Sequence, residues 1–205
     1  MIKNLIFDFG KVLVDYDFMP LLDQFFGEDK ARGAEFCKIF LDQRFIDECD
    51  RELIPFEQII KRKQEENPDY ADALQFFFEN YDNFVTGPMP GMYELLTDLK
   101  ARGYRLYGLT NWCSAVYKVI AKYPVFKLLD GSVISSEEHL LKPEPEIYRC
   151  LTDRYGLKPE ESVFTDDKVV NVEGAKAFGM EAILFTNAAD YAEKLRALIK
   201  AKETK

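Results

Sequence analysis

A carboxylate interrupts the apolar run near the start of the chain. Asp8 follows Leu5-Ile6-Phe7, and an unpaired carboxylate in apolar surroundings is costly. We therefore expect Asp8 to lie at the end of a strand, where its charge faces a cation, hydrogen-bond donors or water. Gly10, two positions later, has no side chain that could share this role.

Two further acidic residues, Asp166 and Asp167, follow a later apolar run. If they converge with Asp8, three like charges cannot all stay ionised unless a cation compensates them. An all-oxygen ligand set without histidine or cysteine favours Mg²⁺ over zinc. The alternative role for the Asp166-Asp167 pair is to cap the helix that we expect from residue 169.

Three more polar residues have positions suited to an anion. Thr110 and Asn111 follow a strand-like run and offer hydroxyl, amide and backbone N–H groups to an oxyanion. Lys142 is stiffened by the proline that follows it, and its ammonium can neutralise a phosphate. Each alone also suits a helix cap or a solvated lysine. Together with the carboxylates they provide what displacement at phosphorus through an aspartyl intermediate requires.

The elements that position these residues alternate along the second half of the chain. Apolar runs predict strands, and periodic apolar residues followed by glycine predict helices. The expected strands are 2–8, 104–109, 132–135, 162–165 and 181–185, and the expected helices are 91–102, 144–155, 169–178 and those beginning near 114 and 188. This alternation predicts an α/β fold, a Rossmann-like parallel sheet with helices on both faces. Ligands of such sheets bind at the carboxyl ends of the strands, where these polar residues fall.

The region 18–87 has a different character. Its apolar residues recur at helical spacing, and we expect no strand in it. Residues 86–91 are rich in glycine and proline and predict a linker. We therefore expect a core formed by residues 1–17 and 88–205, with 18–87 as an all-helical insertion.

The ordered motifs make the sequence similar to the haloacid dehalogenase superfamily of hydrolases, which includes many small-molecule phosphatases. Each motif alone is weak, but the set occurs in family order and covers the core from end to end. The motifs are Phe7-Asp8-Phe9-Gly10-Lys11-Val12, Leu109-Thr110-Asn111, Lys142-Pro143, and Thr165-Asp166-Asp167 with Asn171-Val172-Glu173-Gly174-Ala175. The resemblance implies that the helical insertion is a cap over the active site.

The resemblance also implies a role for each motif residue. Asp8 would be the nucleophile, and Mg²⁺ would be held by Asp8, the Gly10 carbonyl and Asp167, with Asp166 as a ligand or as a partner of the ligands. Thr110, Asn111 and Lys142 would grip the phosphoryl group, and Asn171 stands where many relatives carry a carboxylate. Lys11 of the first motif and Trp112 beside Asn111 complete the candidates for substrate binding.

The sequence departs from the family pattern at Gly10. Most phosphatases of the family carry there a second aspartate, which acts as general acid and then as general base, and this transfer is worth about 10²–10⁴ in rate. Asp15, Asp17 and His139 are candidates for supplying the proton instead. Relatives that share the glycine are grouped with sugar-phosphate phosphatases.

Two other functions stay open. Dehalogenases of the family also lack the second aspartate, because a halide leaves without a proton; they work without Mg²⁺ and hold the halide with an arginine, for which Arg32 and Arg44 are candidates. The Asp166-Asp167 pair favours the metal-dependent phosphatase. A regulatory module that binds phosphate with little turnover is the third possibility.

Composition limits the partners. The 205 residues include 36 acidic and 27 basic ones, a formal net charge of −9, which disfavours binding to nucleic acid or anionic lipid. The four cysteines have no paired spacing, as in reduced cytosolic thiols. We expect a cytoplasmic monomer or homodimer with a phosphorylated small-molecule substrate. Phe18, Met19 and Trp112 should line its pocket, and the aromatic residues expected in the cap core are Phe25, Phe26, Phe45, Phe76, Phe77 and Phe78.

Overall fold

A parallel sheet forms the centre of the molecule in a computed structural model, which describes residues 1–203. The strands in chain order are β1 (Asn4–Phe7), β2 (Val14–Tyr16), β3 (Val85–Pro88), β4 (Arg105–Thr110), β5 (Gly131–Ile134), β6 (Ser162–Asp166) and β7 (Glu181–Leu184). Five of them form one sheet in the order β5-β4-β1-β6-β7, and each pair is parallel. The α/β fold and all five expected strands are confirmed.

The first strand lies at the centre of this sheet. The chain builds outward on one side through β4 and β5, and then returns to the other side of β1 to add β6 and β7. The strand order therefore reverses beside β1, and ligands of open α/β sheets bind outside the carboxyl ends at such a point. Asp8, Thr110 and Asp166 lie at the carboxyl ends of the three central strands.

Helices cover both faces of the sheet. Leu5 and Phe7 of β1 point to one face and Ile6 to the other, as expected for alternating side chains. The first face packs against α6 (Met92–Ala101), α7 (Val116–Lys122) and α11 (Ala188–Glu203), and the second packs against α9 (Pro145–Tyr155) and α10 (Val169–Phe178). A short helix, α8 (Ser135–Glu138), follows β5 directly.

The region between β2 and β3 is helical, as expected. Its helices are α1 (Met19–Phe26), α2 (Lys30–Phe40), α3 (Gln43–Arg51), α4 (Phe56–Glu66) and α5 (Ala71–Glu79). Aromatic rings hold them together, and the Phe77 ring packs at a tilt against Phe36 and Phe40, with centroids 5.0 and 4.9 Å away. Phe45 and Phe77 are buried, and Phe25, Phe26, Phe76 and Phe78 pack partly buried against the same cluster. We call α1–α5 the cap region; the domain boundaries at 17/18 and 87/88 stay a prediction.

The expected linker contains a strand, which the sequence analysis missed. Val85–Pro88 forms β3, which pairs antiparallel with β2, so that Val14 lies opposite Pro88 and Asp15 opposite Gly87. Glycine and proline fit here because the pair is only two strands wide, and an edge strand tolerates a missing N–H donor. The connection between the cap region and the sheet is therefore a two-stranded ribbon.

One expectation from composition, that the cysteines are unpaired, agrees with the structure. All four cysteines are free thiols. Within residues 1–203, no helix has both the length and the apolar character needed to cross a membrane.

Candidate active site

The carboxyl ends of β1 and β6 bring three carboxylates together. One side-chain oxygen of each of Asp8, Asp166 and Asp167 lies within 4.8 Å of the other two. Lys142 is inserted among them, and its Nζ lies 2.9 Å from Asp8 Oδ1 and 2.7 Å from Asp166 Oδ2. The sequence motifs that predicted a metal site and a cation therefore meet at one rim of the sheet.

Asp166 is the most enclosed member of this group. Its residue is fully buried, and Oδ1 accepts the backbone N–H of Lys168 at 2.8 Å. The Asn171 amide donates to both carboxylate oxygens at 3.1 Å. With Lys142 on Oδ2 as well, both oxygens are held by protein donors. Asp166 therefore positions Lys142 and Asn171, whereas Asp8 and Asp167 line the cavity in front of the sheet.

The alternative capping role applies only weakly to the Asp166-Asp167 pair. The residue that caps α10 is Lys168, and its side chain makes no capping hydrogen bond. Asp166 accepts the N–H of that capping residue, one position ahead of the helix. Asp167 accepts no helix N–H and faces the cavity. The side chains of Asp166 and Asp167 therefore belong to the carboxylate group, and neither is the N-cap residue of α10.

Burial and the neighbouring charges shift the pKa values of the residues in this group. Burial raises the pKa of Asp8 to about 6; Lys142 opposes this shift and Asp166 adds to it. Burial likewise raises the pKa of Asp167, with a further contribution from Asp166. Burial lowers the pKa of Lys142, but Asp166 and Asp8 outweigh it, so the pKa is raised overall. Lys142 is therefore charged at neutral pH and compensates one of the three carboxylates.

The donor set fits a hard divalent cation. Two carboxylates, those of Asp8 and Asp167, face the cavity beside Gly10, and one lysine leaves the three-carboxylate group with excess negative charge. Oxygen ligands of this kind suit Mg²⁺. Raised carboxylate pKa values are the expected sign of a cluster arranged for a cation.

The residues after β4 play different parts. Thr110 is buried and lines the cavity. The Asn111 side chain is used structurally: its amide donates to the Lys142 carbonyl at 3.0 Å, and its Oδ1 accepts the Lys142 N–H at 2.8 Å. Trp112 is buried, lines the cavity and donates its N–H to Ser135 Oγ at 2.9 Å. Asn111 therefore fixes the backbone that carries Lys142.

Lys11 is not brought to the group. It follows Gly10 with a positive φ of 60°, and its ammonium donates to Asp15 Oδ1 at 2.6 Å and to the Tyr16 carbonyl at 2.7 Å. The same ammonium lies 4.6 Å from the centre of the Tyr16 ring. The positive φ directs the side chain toward β2, so Lys11 is not among the residues that line the cavity.

The expected substitutes for the missing aspartate also lie elsewhere. Asp15 is paired with Lys11, and Asp17 accepts the N–H of Met19 at 2.9 Å. His139 is exposed, and its Nδ1 lies 3.0 Å from the carbonyl of Arg51. None of the three lines the cavity.

The same holds for the two arginines considered for a halide. Arg32 donates to the Asp69 carbonyl at 2.6 Å and stacks over the Tyr70 ring on the outside of the cap region. Arg44 lies near the exposed start of α3. Neither faces Asp8 across the cavity.

The cap region supplies the opposite wall of the cavity. Most of this wall is apolar or aromatic, and the residues are Phe18, Phe40, Leu41, Phe45, Ile46, Cys49, Phe56, Ile60, Tyr81 and Phe84. Phe18 and Trp112 line the cavity as expected. Met19 does not, because it lies one helical position beyond Phe18, points outward and is 55% exposed. Phe45, expected only in the cap core, belongs to both.

Several cavity residues carry polar groups that the sequence analysis did not single out, Gln43 and Tyr81 among them. Tyr16 of β2 and Lys168 after β6 face the cavity from the core, and Asp50 of α3 faces it from the cap region. Lys168 directly follows the Asp166-Asp167 pair, so it could have been identified by including the next residue of that motif. No local pattern identifies Asp50, because only the contact between the cap region and the core brings it to the site.

The residues around Asp50 fasten α3 to the core. The Asp50 carbonyl accepts the Ser135 hydroxyl at 2.6 Å. Arg51 donates to the His139 carbonyl at 2.9 Å and forms a two-point ion pair with Glu144. The Glu52 carboxylate accepts the N–H and the hydroxyl of Ser114 at 2.6 and 2.7 Å. Three consecutive residues thus contact three different core segments.

Comparison with known proteins agrees with the geometry. A family model described as haloacid dehalogenase-like hydrolase matches residues 2–179. A D-ribitol-5-phosphate phosphatase of Bacteroides thetaiotaomicron is 26% identical over 97% of this chain and 99% of its own length. A sesquiterpene phosphatase of Aspergillus oryzae is 30% identical over 55% of this chain and 58% of its own. Matches to three of the curated relatives, this last one included, span 44 to 58% of the relatives' lengths.

Solved structures share the fold. A HAD family enzyme of Bacteroides thetaiotaomicron, solved in complex with magnesium and inorganic phosphate, superposes with a TM-score of 0.72 at 24% identity, covering 92% of this chain and 96% of that one. The similarity extends over both the sheet and the helical region, because the match covers nearly all of each chain.

Proposed function

Because the chain belongs to the haloacid dehalogenase-like hydrolases, we propose that it is a Mg²⁺-dependent phosphatase that hydrolyses a small phosphorylated metabolite through an aspartyl phosphate on Asp8. The observation that carries this proposal is the grouping of Asp8, Asp167 and Lys142 at the switch point of the sheet. A nucleophilic carboxylate, a cation site and a fixed positive charge occur there together, as phosphoryl transfer requires.

The nucleophile is held in one orientation by two donors. Asp8 Oδ1 accepts the N–H of Phe9 at 2.7 Å and lies 2.9 Å from Lys142 Nζ. The other carboxylate oxygen is the one that attacks phosphorus, displacing the ester oxygen and forming the aspartyl phosphate. Holding the reacting atom in place lowers the entropic cost of the reaction.

The remaining groups bind the phosphoryl oxygens. Lys142 supplies a fixed positive charge directly against Asp8, and Thr110 lines the cavity and carries a hydroxyl. Asp8, Asp167 and the Gly10 carbonyl would hold Mg²⁺, which when bound neutralises charge on the phosphoryl group. Asp166 and Asn111 keep Lys142 in position from behind.

The substrate is a phosphorylated small molecule, for which two observations give support. A relative that matches over 99% of its own length is a D-ribitol-5-phosphate phosphatase. The absence of Arg32 and Arg44 from the cavity weakens the halide-binding alternative. Cytoplasmic location and a monomeric or homodimeric state complete the proposal as expectations from the sequence.

Phosphate release from nitrophenyl phosphate and from a panel of phosphorylated sugars and polyols, with Mg²⁺ and with excess chelator, tests this function. We expect turnover only with Mg²⁺. Asp8→Asn should abolish it while preserving the melting temperature to within a few degrees. Full activity of that variant would exclude the aspartyl phosphate.

Two further outcomes identify the alternatives. Halide release from a 2-haloacid in excess chelator would show a dehalogenase. Mg²⁺ binding without turnover of either substrate class would show a regulatory module.

A further inference from the structure

The position of the missing aspartate is filled by another side chain. A Cβ atom built on Gly10 would lie 2.9 Å from Cε1 of Tyr16, which is closer than real Cβ contacts allow. The Tyr16 ring is held by Phe18 and Phe84, with ring centroids 5.7 and 5.8 Å away, and by the Lys11 ammonium. The core therefore has no room beside Asp8 for the usual acid, and the proton must come from another wall.

Asp50 is the carboxylate that the cap region adds to this cavity. Of the acidic side chains lining it, Asp8 and Asp167 belong to the carboxylate group of the core, and Asp50 alone comes from the facing wall. Within residues 1–203, no side chain or backbone group donates a hydrogen bond to the Asp50 carboxylate, and no cation lies within ion-pair distance. An acidic group that lines the same cavity as the nucleophile and has no hydrogen-bond or ion-pair partner among the described residues is free to interact with substrate and water.

The surroundings of Asp50 favour its protonated form. Burial raises its pKa to about 7; Lys168 and Lys142 oppose this shift, and Asp47 and Asp8 add to it. The other titratable groups that act on it are Tyr16 from β2, Tyr81 after α5, Cys49 on its own helix, and Cys113 after β4. At neutral pH the residue exists in both protonation states, as a group that donates and then accepts a proton requires.

The backbone of Asp50 is fixed relative to the core. Its carbonyl accepts the hydroxyl of Ser135, and the next two residues, Arg51 and Glu52, bind Glu144 and Ser114. These contacts, made at Asp50 and at the two residues that follow it, limit the movement of the side chain toward or away from Asp8. A general acid needs this degree of positioning.

We propose that Asp50 is the general acid and base of this phosphatase, in place of the aspartate that is missing at position 10. This inference rests on the proposed function. In the first step an Asp8 oxygen bonds to phosphorus, the bond to the ester oxygen breaks with its electron pair, and that oxygen takes the proton of the Asp50 carboxylic acid and leaves as an alcohol. In the second step the Asp50 carboxylate takes a proton from water, the water oxygen bonds to phosphorus, and the bond to Asp8 breaks to release phosphate.

The test compares Asp50→Asn with wild type on two substrates, an alkyl phosphate from the active panel and nitrophenyl phosphate, whose leaving group departs without a proton. We expect kcat/KM for the alkyl phosphate to fall about 10²–10⁴-fold and that for nitrophenyl phosphate to fall less than about tenfold. Since the second step also lacks its base, a burst of about one nitrophenol per enzyme should precede slow turnover.

Two variants act as controls. Asp47→Asn changes an exposed carboxylate one turn earlier on the same helix and should leave both rates near wild type. Tyr16→Phe removes the hydroxyl that faces Asp8 from β2 and should not produce the dependence on the leaving group. Asp50→Glu, which keeps the acid, should recover part of the alkyl phosphate activity and serves if the asparagine variant does not fold.

The experiments test the role of Asp50 and the phosphatase function independently of each other. Wild-type turnover that needs Mg²⁺ and Asp8 establishes the function whatever Asp50 does. An equal loss of Asp50→Asn on both substrates without a burst, or no loss, would overturn the role of Asp50. So would the leaving-group dependence appearing in Tyr16→Phe instead.

Discussion

The two walls of the cavity are built in different ways. The core wall consists of buried charges that hold one another, because Lys142 joins Asp8 to Asp166 and Asn171 secures Asp166 from behind. The cap wall consists mainly of aromatic and aliphatic side chains around one carboxylate, to which no donor within residues 1–203 forms a hydrogen bond. The core wall is therefore suited to a single chemical task, whereas the cap wall sets which group attached to the phosphate is accepted.

The difference extends to how each wall is held. The core residues lie at the ends of adjacent strands of one sheet, so their spacing follows from the sheet itself. The cap wall is held by side-chain contacts at the end of α3 and by the two-stranded ribbon. Changes in the core should therefore affect stability and catalysis together, and changes in the cap contacts should affect catalysis more.

Removal of the central cation should have the largest effect. In Lys142→Met, Asp8 and Asp166 lose a shared partner that is itself only 5% exposed. Loss of one member of a buried ion pair costs about 3–5 kcal/mol of unfolding free energy. Loss of a fixed charge at the phosphoryl group should also lower kcat about 10²–10³-fold. Urea unfolding and phosphate release measure the two effects.

A surface lysine provides the control for this variant. Lys176 pairs with Glu173 at 2.9 Å, but its side chain is 49% exposed, so Lys176→Met should change the unfolding free energy by no more than about 0.5 kcal/mol. Equal stabilities of the two variants would contradict the structural role assigned to Lys142.

The contacts at the end of α3 should have an intermediate effect. Arg51 and Glu144 are each about one third exposed, so their pairing contributes less than about 1 kcal/mol to stability. We expect Arg51→Ala and Glu144→Ala to lower kcat/KM for alkyl phosphates about fivefold, because the cap wall is less firmly placed. In a double-mutant cycle the two losses should not add.

Arg62→Ala is the matched control for that cycle. Arg62 pairs with Glu48 and Glu66 inside the cap region, and among residues 1–203 it forms no ion pair with a residue of the core. Its loss should leave kcat/KM close to wild type. An effect as large as that of Arg51→Ala would assign the loss to cap stability rather than to docking on the core.

A further effect, of about the same size, concerns stability as a function of pH. The folded pKa of Asp50, about 7, exceeds its ordinary value of 3.8, so the folded state holds a proton that the unfolded state releases. Ionising Asp50 therefore costs stability as pH rises from about 4 to 7. In metal-free protein, Asp50→Asn should gain about 1–2 kcal/mol over wild type between pH 5 and pH 8, a few degrees in melting temperature.

Differential scanning at both pH values measures this gain. Asp47→Asn should show no comparable dependence, since Asp47 is exposed. A melting temperature difference between Asp50→Asn and wild type that is the same at pH 5 and pH 8 would show that the Asp50 carboxylate is ionised in the folded state as readily as in the unfolded one.

The difference between the core wall and the cap wall also explains which features of the site could be predicted from the sequence. Asp8, Thr110 and Asp166 were found because each follows its strand directly, and parallel strands bring their carboxyl ends together whatever lies between them. The ribbon was missed, because Val14 and Pro88 pair across the whole cap region, and glycine with proline resembles a linker when seen locally. Asp50 was missed for the same reason, since docking of α3 on the core brings it to the cavity.

The directions of two side chains expected to bind substrate were not predictable from the sequence. Lys11 belongs to the first motif, but its positive φ turns the ammonium toward Asp15. Asn111 lines the cavity, and its binding of phosphate stays a prediction. Its side-chain amide is paired on both sides with the Lys142 backbone. Composition and spacing locate residues along an element, whereas these two outcomes depend on a local dihedral angle and on a partner 31 positions away.

The packing of Tyr16 against Gly10 also constrains how this chain can change. Because a Cβ at position 10 meets the ring, an aspartate cannot be introduced there while Tyr16 remains, and a smaller residue at position 16 alone leaves a gap beside Phe18 and Phe84. Each single step passes through a worse-packed protein. Positions 10 and 16 are therefore coupled, and an aspartate at position 10 requires a simultaneous change of Tyr16. A protein that carries both the glycine and the tyrosine keeps its proton donor outside the first motif.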